Sequence, residues 1–398
     1  MNTARTPWMP AGLGRGLRSL WVRLCLGLPI LAAVAGTPPV AAVAQADASD
    51  AWVRRARAET PALERILDRV DAQALNVHSV LVMQSGALAA ERYYAGKDQA
   101  IYSLWRSRRT FGAADLHDMR SVSKSVIGLV YGILLARGEV PSLETPVASL
   151  YLDCPLREAS AVPAVRIRDL LTMTAGLAWD EPSPVHRAAW DDQLALTWTG
   201  SVYAHLFSRE RVAEPGTRFV YSGGATAVLA DVMERATGRP LAELVARELF
   251  EPLGIAESSW TQDLRGRALA FAGLRLRPRD LLKLGLLVLD QGRWQGRQLV
   301  PAAWIEAATT AQVKASPDYG YGYQWWVRTH AIGGRPVRVV QAIGNGGQRL
   351  YVVPALQLVV AMTAGDYGTL GILADEDTLF LELAAGVVSA PVDDTASR

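Results

Sequence analysis

The chain has 398 residues, half of them hydrophobic and a fifth charged, with a formal net charge of +2. That composition excludes a disordered or fibrous protein, and two cysteines are too few for a disulfide-stapled scaffold. No basic stripe or aromatic-interleaved patch is present, so a nucleic-acid partner is not indicated.

Arg5, Arg15, Arg18 and Arg23 precede or enter an apolar run from Leu24 to Gly36, which small residues from Ala41 to Ala46 follow. This is the pattern of a secretory signal peptide, residues 1–46, cleaved after Ala44 or Ala46. The apolar run is too short to span a bilayer. The expected product is periplasmic or secreted, with no stable membrane anchor after cleavage. Residues 47–398 carry 37 basic against 39 acidic side chains, so the apparent basicity belongs to the leader. Cys154 is the one cysteine left, which allows neither an intramolecular disulfide nor a thiolate metal cluster.

Residues 51–70 place aliphatic and charged side chains at helical spacing and predict an amphipathic helix. Residues 79–83 and 88–94 flank Gln84-Ser85-Gly86-Ala87 and predict a β-hairpin. Residues 101–117 read as a loop, with His117 a surface or capping histidine.

At Ser121-Val122-Ser123-Lys124 the pattern changes. The apolar run from Val126 to Leu135 has no polar face and predicts a helix buried nearly all round, ending at Arg137-Gly138. Ser121 and Lys124, three residues apart, share one face of its first turn. That end of a helix favours an alkoxide and disfavours an ammonium. Ser121 is therefore expected as a nucleophile, with an uncharged Lys124 as its base. The chain has only four lysines, and only Lys124 follows a serine by three places.

From about 141 to 270 helices and loops predominate and predict a helical subdomain. Residues 165–173 predict a short strand running into a helix, and 175–182 a turn-rich loop. Trp179 in that loop, with Trp190 and Trp198 nearby, is expected either to line a substrate cleft or to pack a loop-rich subdomain. Pro215-Gly216 marks a turn, after which Tyr221 leads into an apolar helix, 225–236, that stops at Gly238. A phenol at such a junction can carry protons when a cation lowers its pKa, and Lys124 is the expected cation.

Residues 279–291 predict a helix, and 337–343, 348–353 and 357–363 predict strands. Gly344-Asn345-Gly346-Gly347 at a strand edge lets a ligand approach the backbone and leaves the Gln348 N–H for developing negative charge. Residues 375–385 predict a closing helix, followed by a mobile tail from Pro391.

Together these stretches resemble the serine β-lactamase and penicillin-binding-protein superfamily, and most of all its β-lactamase-related serine hydrolases, which include esterases and 6-aminohexanoate-dimer hydrolases. Arg120 to Ser125 is similar to the first motif, the S-x-x-K of these enzymes. Further landmarks are Leu170 to Leu177, Pro215-Gly216 through Tyr221-Ser222, Pro252-Leu253-Gly254, and the aromatic stretch Tyr319 to Trp326. The resemblance implies an α/β (α+β) fold: an antiparallel sheet flanked by helices and built by both ends of the chain, plus the helical subdomain. It implies acyl transfer through Ser121, Lys124 and Tyr221, with the N–H groups of Ser121 and Gln348 as oxyanion donors. Asn345, Gly346, Gly347 and Trp179 are then expected against a small-molecule ester or amide, with no metal or cofactor.

Two positions depart from the family pattern. The second motif, Tyr-x-Asn in β-lactamases and peptidoglycan peptidases, ends here in Gly223, which has no side chain to bind a substrate amide. The third motif usually begins with Lys or His and begins here with Asn345, which removes a partner for a substrate carboxylate. Both changes favour an esterase or amidase over a β-lactamase or D-alanyl-D-alanine carboxypeptidase. A non-catalytic binding protein of the same fold is the third alternative.

Overall fold

In strand β1 (Val77–Gln84) successive side chains feed two different cores. Val80 and Val82 pack on one face of the sheet, Leu81 and Met83 on the other. The computed structural model describes residues 61–72, 75–154, 165–181, 192–367 and 372–388. The expected signal peptide, the first ten residues of the expected N-terminal helix, Trp190 and the tail from Pro391 lie outside the described residues.

Strand β2 (Ala87–Tyr93) returns from β1 through Ser85 and Gly86, both at positive φ, as the predicted hairpin requires. The other strands of the sheet come late in the chain: β3 (Val313–Lys314), β4 (Tyr319–Tyr321), β5 (Trp326–Ile332), β6 (Arg335–Gly344), β7 (Gln348–Val353) and β8 (Leu358–Ala364). They form one eight-stranded antiparallel sheet in the order β3-β4-β5-β6-β7-β8-β1-β2. The period-2 rule holds through its centre. Leu350, Val352, Val359 and Ala361 go to the core shared with the helical region, while Tyr351, Val353, Val360 and Met362 go to the opposite one.

Helices α1 (Pro61–Ala72) and α6 (Ile372–Val388) cover that opposite face with Leu63, Leu67, Phe380 and Leu383. The other face receives α2 (Val122–Ala136) and α5 (Pro278–Leu289). Among the described residues of 141–270, helices dominate, including α3 (Ile167–Leu171) and α4 (Gly223–Thr237).

Two expectations are corrected. Residues 165–173 hold no strand: Arg166 makes a single bridge to Pro146, and α3 starts directly after it. His117 is buried, paired in a short strand with Leu276 and packed against His78 and Phe111. A polar residue just before a helix reads as a cap, but here a tertiary strand pairing takes it inside.

Candidate active site

Helix α2 is apolar enough to run through the middle of the core, and its first turn carries Ser123, Lys124 and Ser125. Ser121 occupies the N-cap position, yet its hydroxyl makes no capping bond. Ser222, the N-cap of α4, behaves in the ordinary way and accepts from the Ala225 N–H. The Ser121 hydroxyl instead accepts from the Lys124 amine, Nζ to Oγ 2.9 Å. Arg120, immediately before it, holds φ at +49°, a left-handed backbone that costs a non-glycine residue about 1 kcal/mol. Ser123 offsets this by donating from both its N–H and its hydroxyl to the Arg120 carbonyl, 3.0 and 2.6 Å.

Lys124 is buried to 1 % exposure. Its nitrogen also donates to Glu181 Oε1 at 3.2 Å and to the Phe271 carbonyl at 3.3 Å. The ammonium lies 4.6 Å from the centre of the Tyr221 ring, and the Lys124 charge and the Ser121 hydroxyl both act on the Tyr221 phenol. A serine and a lysine three residues apart thus meet a tyrosine about 100 residues further along the chain.

The loop bearing Tyr221 hangs on the segment after α3. The Val220 N–H donates to the Met173 carbonyl at 2.8 Å and the Gly216 N–H to the Thr174 carbonyl at 2.8 Å. Buried Gln324 ties the assembly together. Its side-chain amide donates to the Leu170 and Leu171 carbonyls, its Oε1 accepts from Thr226 of α4 at 2.8 Å, and its backbone carbonyl accepts from Ser125 of α2 at 2.7 Å.

Glu181 is the functional residue that sequence reasoning missed. Its Oε2 accepts from the Gly223 N–H at 2.6 Å and from the Trp179 indole at 3.2 Å, and its Oε1 also accepts from Gln193 at 3.3 Å. A Cβ at Gly223 would lie 3.3 Å from that Oε2. The carboxylate therefore occupies the space beside which the side chain of a Tyr-x-Asn motif would begin. Gly223 was the signal that could have pointed to it: a missing polar side chain next to a buried lysine demands another polar partner.

This carboxylate corrects the expectation of an uncharged Lys124. Burial alone disfavours the ammonium, but attraction to Glu181 and Tyr221 outweighs it, and the amine titrates above its ordinary range. The helix-end effect, about 0.3–1 kcal/mol, is too small to reverse a buried ion pair. Burial pushes the Tyr221 phenol up as well, more than the neighbouring ammonium draws it down. At rest Lys124 is therefore held as an ammonium beside a protonated Tyr221 phenol.

The third motif arrives from the sheet. Gln348 opens β7 opposite Gly344, and a Cβ on Gly344 would stand 2.5 Å from the Met119 carbonyl, two residues before Ser121. The turn Asn345-Gly346-Gly347 therefore lies beside the start of α2. Gly346 and Gly347 both hold positive φ, and Gly346 bridges to Asp366. The Gln348 side chain turns inward and donates to the Ala364 carbonyl at 2.5 Å. Trp179 is half-buried, packed against Gly224 and edge-on to His205. It clamps Glu181 as well as facing the site.

An eight-stranded antiparallel sheet, helices on both faces and an S-x-x-K helix beneath define a β-lactamase/transpeptidase-like fold. The sequence profile of the Beta-lactamase family matches residues 63–382, and the chain belongs to that family. It is similar to the 6-aminohexanoate-dimer hydrolase of Paenarthrobacter ureafaciens, 26 % identical over 319 residues that cover 75 % of this chain and 74 % of the relative. It is also similar to esterase EstB of Burkholderia gladioli, 32 % identical over 163 residues, 36 % of this chain and 38 % of that one. Among solved structures, EstCE1, a hydrolase with promiscuous acyltransferase activity, superposes with a TM-score of 0.65 at 20 % identity, covering 82 % of this chain and 98 % of its own. The chain is a hydrolase of the β-lactamase superfamily.

Proposed function

We propose that this protein is a periplasmic or secreted serine hydrolase that cleaves an ester or amide through an acyl-enzyme on Ser121. The observation that carries the reading is the Lys124 amine 2.9 Å from the Ser121 hydroxyl and 4.6 Å from the centre of the Tyr221 ring. Secretion rests on the leader pattern of residues 1–46.

The proton inventory sets the order of events. When substrate covers the site and excludes water, Lys124 passes one proton to Glu181 and becomes a free amine. Ser121 then adds to the carbonyl carbon while its proton goes to Lys124. The N–H groups of Ser121 and Gln348 receive the oxyanion, each worth roughly 3–4 kcal/mol in comparable hydrolases. As the intermediate collapses, Tyr221 protonates the leaving oxygen or nitrogen and takes a proton back from Lys124. Glu181 returns its proton to the amine, and the site is reset. Water retraces the path to release the acid.

Gly223 and Asn345, in place of the amide-binding and carboxylate-binding side chains, favour an uncharged ester or amide over a β-lactam. A panel of p-nitrophenyl esters, anilides and nitrocefin, run on wild type and Ser121→Ala, tests this. Ester or anilide turnover that disappears in Ser121→Ala is the expected result. Nitrocefin turnover without esterase activity would overturn the substrate preference, and no turnover with no fluorophosphonate adduct would favour a binding protein.

A further inference from the structure

Beside Lys124 lies a cavity of about 230 Å³ walled chiefly by Ile101, Tyr102, Leu194, Leu269, Phe271 and Ala272. Its position ties it to the chemistry. The Phe271 carbonyl accepts from Lys124, and the Phe271 ring centre is 5.9 Å from the ammonium. Gln193 in the same wall donates to Glu181, and Arg120 in that wall directly precedes Ser121.

The cavity is apolar in effect as well as in composition. Its charged side chain, Arg120, lies 3.4 Å from the Asp118 carboxylate, donates to the Gln99 carbonyl at 2.7 Å and stacks its guanidinium on Tyr367 at 4.2 Å. Asp118 also accepts from the Ile101 N–H at 2.9 Å, which fixes the rim. The Arg120 Nη2 is thereby engaged and Asp118 balances its charge, while the arginine Nε is buried without a hydrogen-bond partner among the described residues.

Size and side follow from the geometry. An engineered apolar cavity of about 150 Å³ holds a benzene ring, so 230 Å³ admits a ring with a short linker or a chain of medium length. Tyr221, the group that must reach the leaving atom, is absent from this wall. Its ring packs instead against Phe219, Tyr321 and Trp326. The leaving group belongs on the Tyr221 side, which leaves the cavity to the other half of the substrate.

We propose that this cavity is the acyl pocket and that it selects substrates with an uncharged, apolar acyl group, a medium-length chain or a single ring, over charged acyl groups of equal length. The proposal rests on the serine-hydrolase reading above and adds the class of acyl group to it.

The test is a series of p-nitrophenyl esters from acetate to octanoate, with the 6-aminohexanoate ester and the adipate monoester as charged partners of hexanoate. Each methylene buried in the pocket is worth about fourfold in kcat/KM, so hexanoate should exceed acetate on the order of a hundredfold. Hexanoate should exceed both charged esters at least tenfold. Ala272→Phe and Leu194→Trp, which fill the cavity from two walls, should each cut the hexanoate-to-acetate ratio at least tenfold. A flat chain-length series, or preference for either charged ester, overturns the proposal without recourse to any variant. A ratio unmoved in both variants does the same. Failure of the underlying reading looks different: no ester is turned over and Ser121 takes no fluorophosphonate.

Discussion

Lys124 and Glu181 form a buried ion pair, Nζ to Oε1 3.2 Å, joining the first helix of the site to a loop 57 residues later. The pair leaves the amine protonated at rest and supplies the acceptor that can free it.

This relationship predicts a change in pH dependence. Wild type moves a proton within the pair and needs none removed by solvent, so kcat/KM for an ester should be flat between about pH 6 and 8. In Glu181→Gln, burial dominates Lys124 and lowers its pKa, and the amine must lose its proton to solvent. The profile should then rise with pH, with a loss of about a hundredfold at the acid end, in the range of one general acid–base contribution. A Glu181→Gln enzyme that matches wild type in rate and profile would exclude the relay. Glu181→Asp should recover part of the flat profile.

Gln324 predicts a stability effect. Gln324→Leu takes the Thr226 hydroxyl's partner away and removes one donor each from the Leu170 and Leu171 carbonyls, which keep the Met173 and residue-324 backbone N–H groups. At about 1–3 kcal/mol for one unsatisfied buried group, a loss of about 1–3 kcal/mol is expected in urea unfolding. Ester turnover should fall as well, since Gln324 ties α2, α4 and the segment that carries the Tyr221 loop. A loss below about 0.5 kcal/mol would show that it is not the tie.

The buried histidines predict acid sensitivity of the fold. His78 Nε2 donates to the Lys97 carbonyl at 3.0 Å, which leaves Nδ1 as the buried, unpartnered atom that must take the proton. Burial pushes the ring down to about 4, and burial together with His78, Arg109 and Arg275 pushes His117 well below its usual range. Between the unfolded value near 6.5 and the folded value the unfolded chain binds more protons, so stability falls as pH drops through that window. At pH 5 the loss from His78 alone is about 2 kcal/mol. Unfolding midpoints at pH 7.5 and 5.0 should differ accordingly, and the difference should shrink in His78→Gln. Equal midpoints in wild type would contradict it.

Much of this architecture was readable before any coordinates. The strands at 79–83, 348–353 and 357–363 announce themselves as short apolar, β-branched runs bounded by turn residues, as strands buried on both faces do. Helix α2 declares its burial by having no polar face. Ser121, Lys124 and Tyr221 were visible because motif spacing and junction chemistry are local. Glu181 was not, since its meaning depends on Gly223 and Lys124, which only the fold brings to it. His117 failed for the same reason: its strand partner, Leu276, is distant in the chain. The charge on Lys124 went wrong as a consequence, because helix-end electrostatics were weighed without the carboxylate.

The central claim is that Ser121 becomes acylated. Wild-type protein mixed with p-nitrophenyl hexanoate, quenched in acid within the first turnovers and digested for tandem mass spectrometry, tests it directly. The expected result is a hexanoyl mass on Ser121 and not on Ser123, strongly reduced in Lys124→Met. Turnover of the ester with the hexanoyl group on another residue, or with Ser121 unmodified in every quench, would contradict the account.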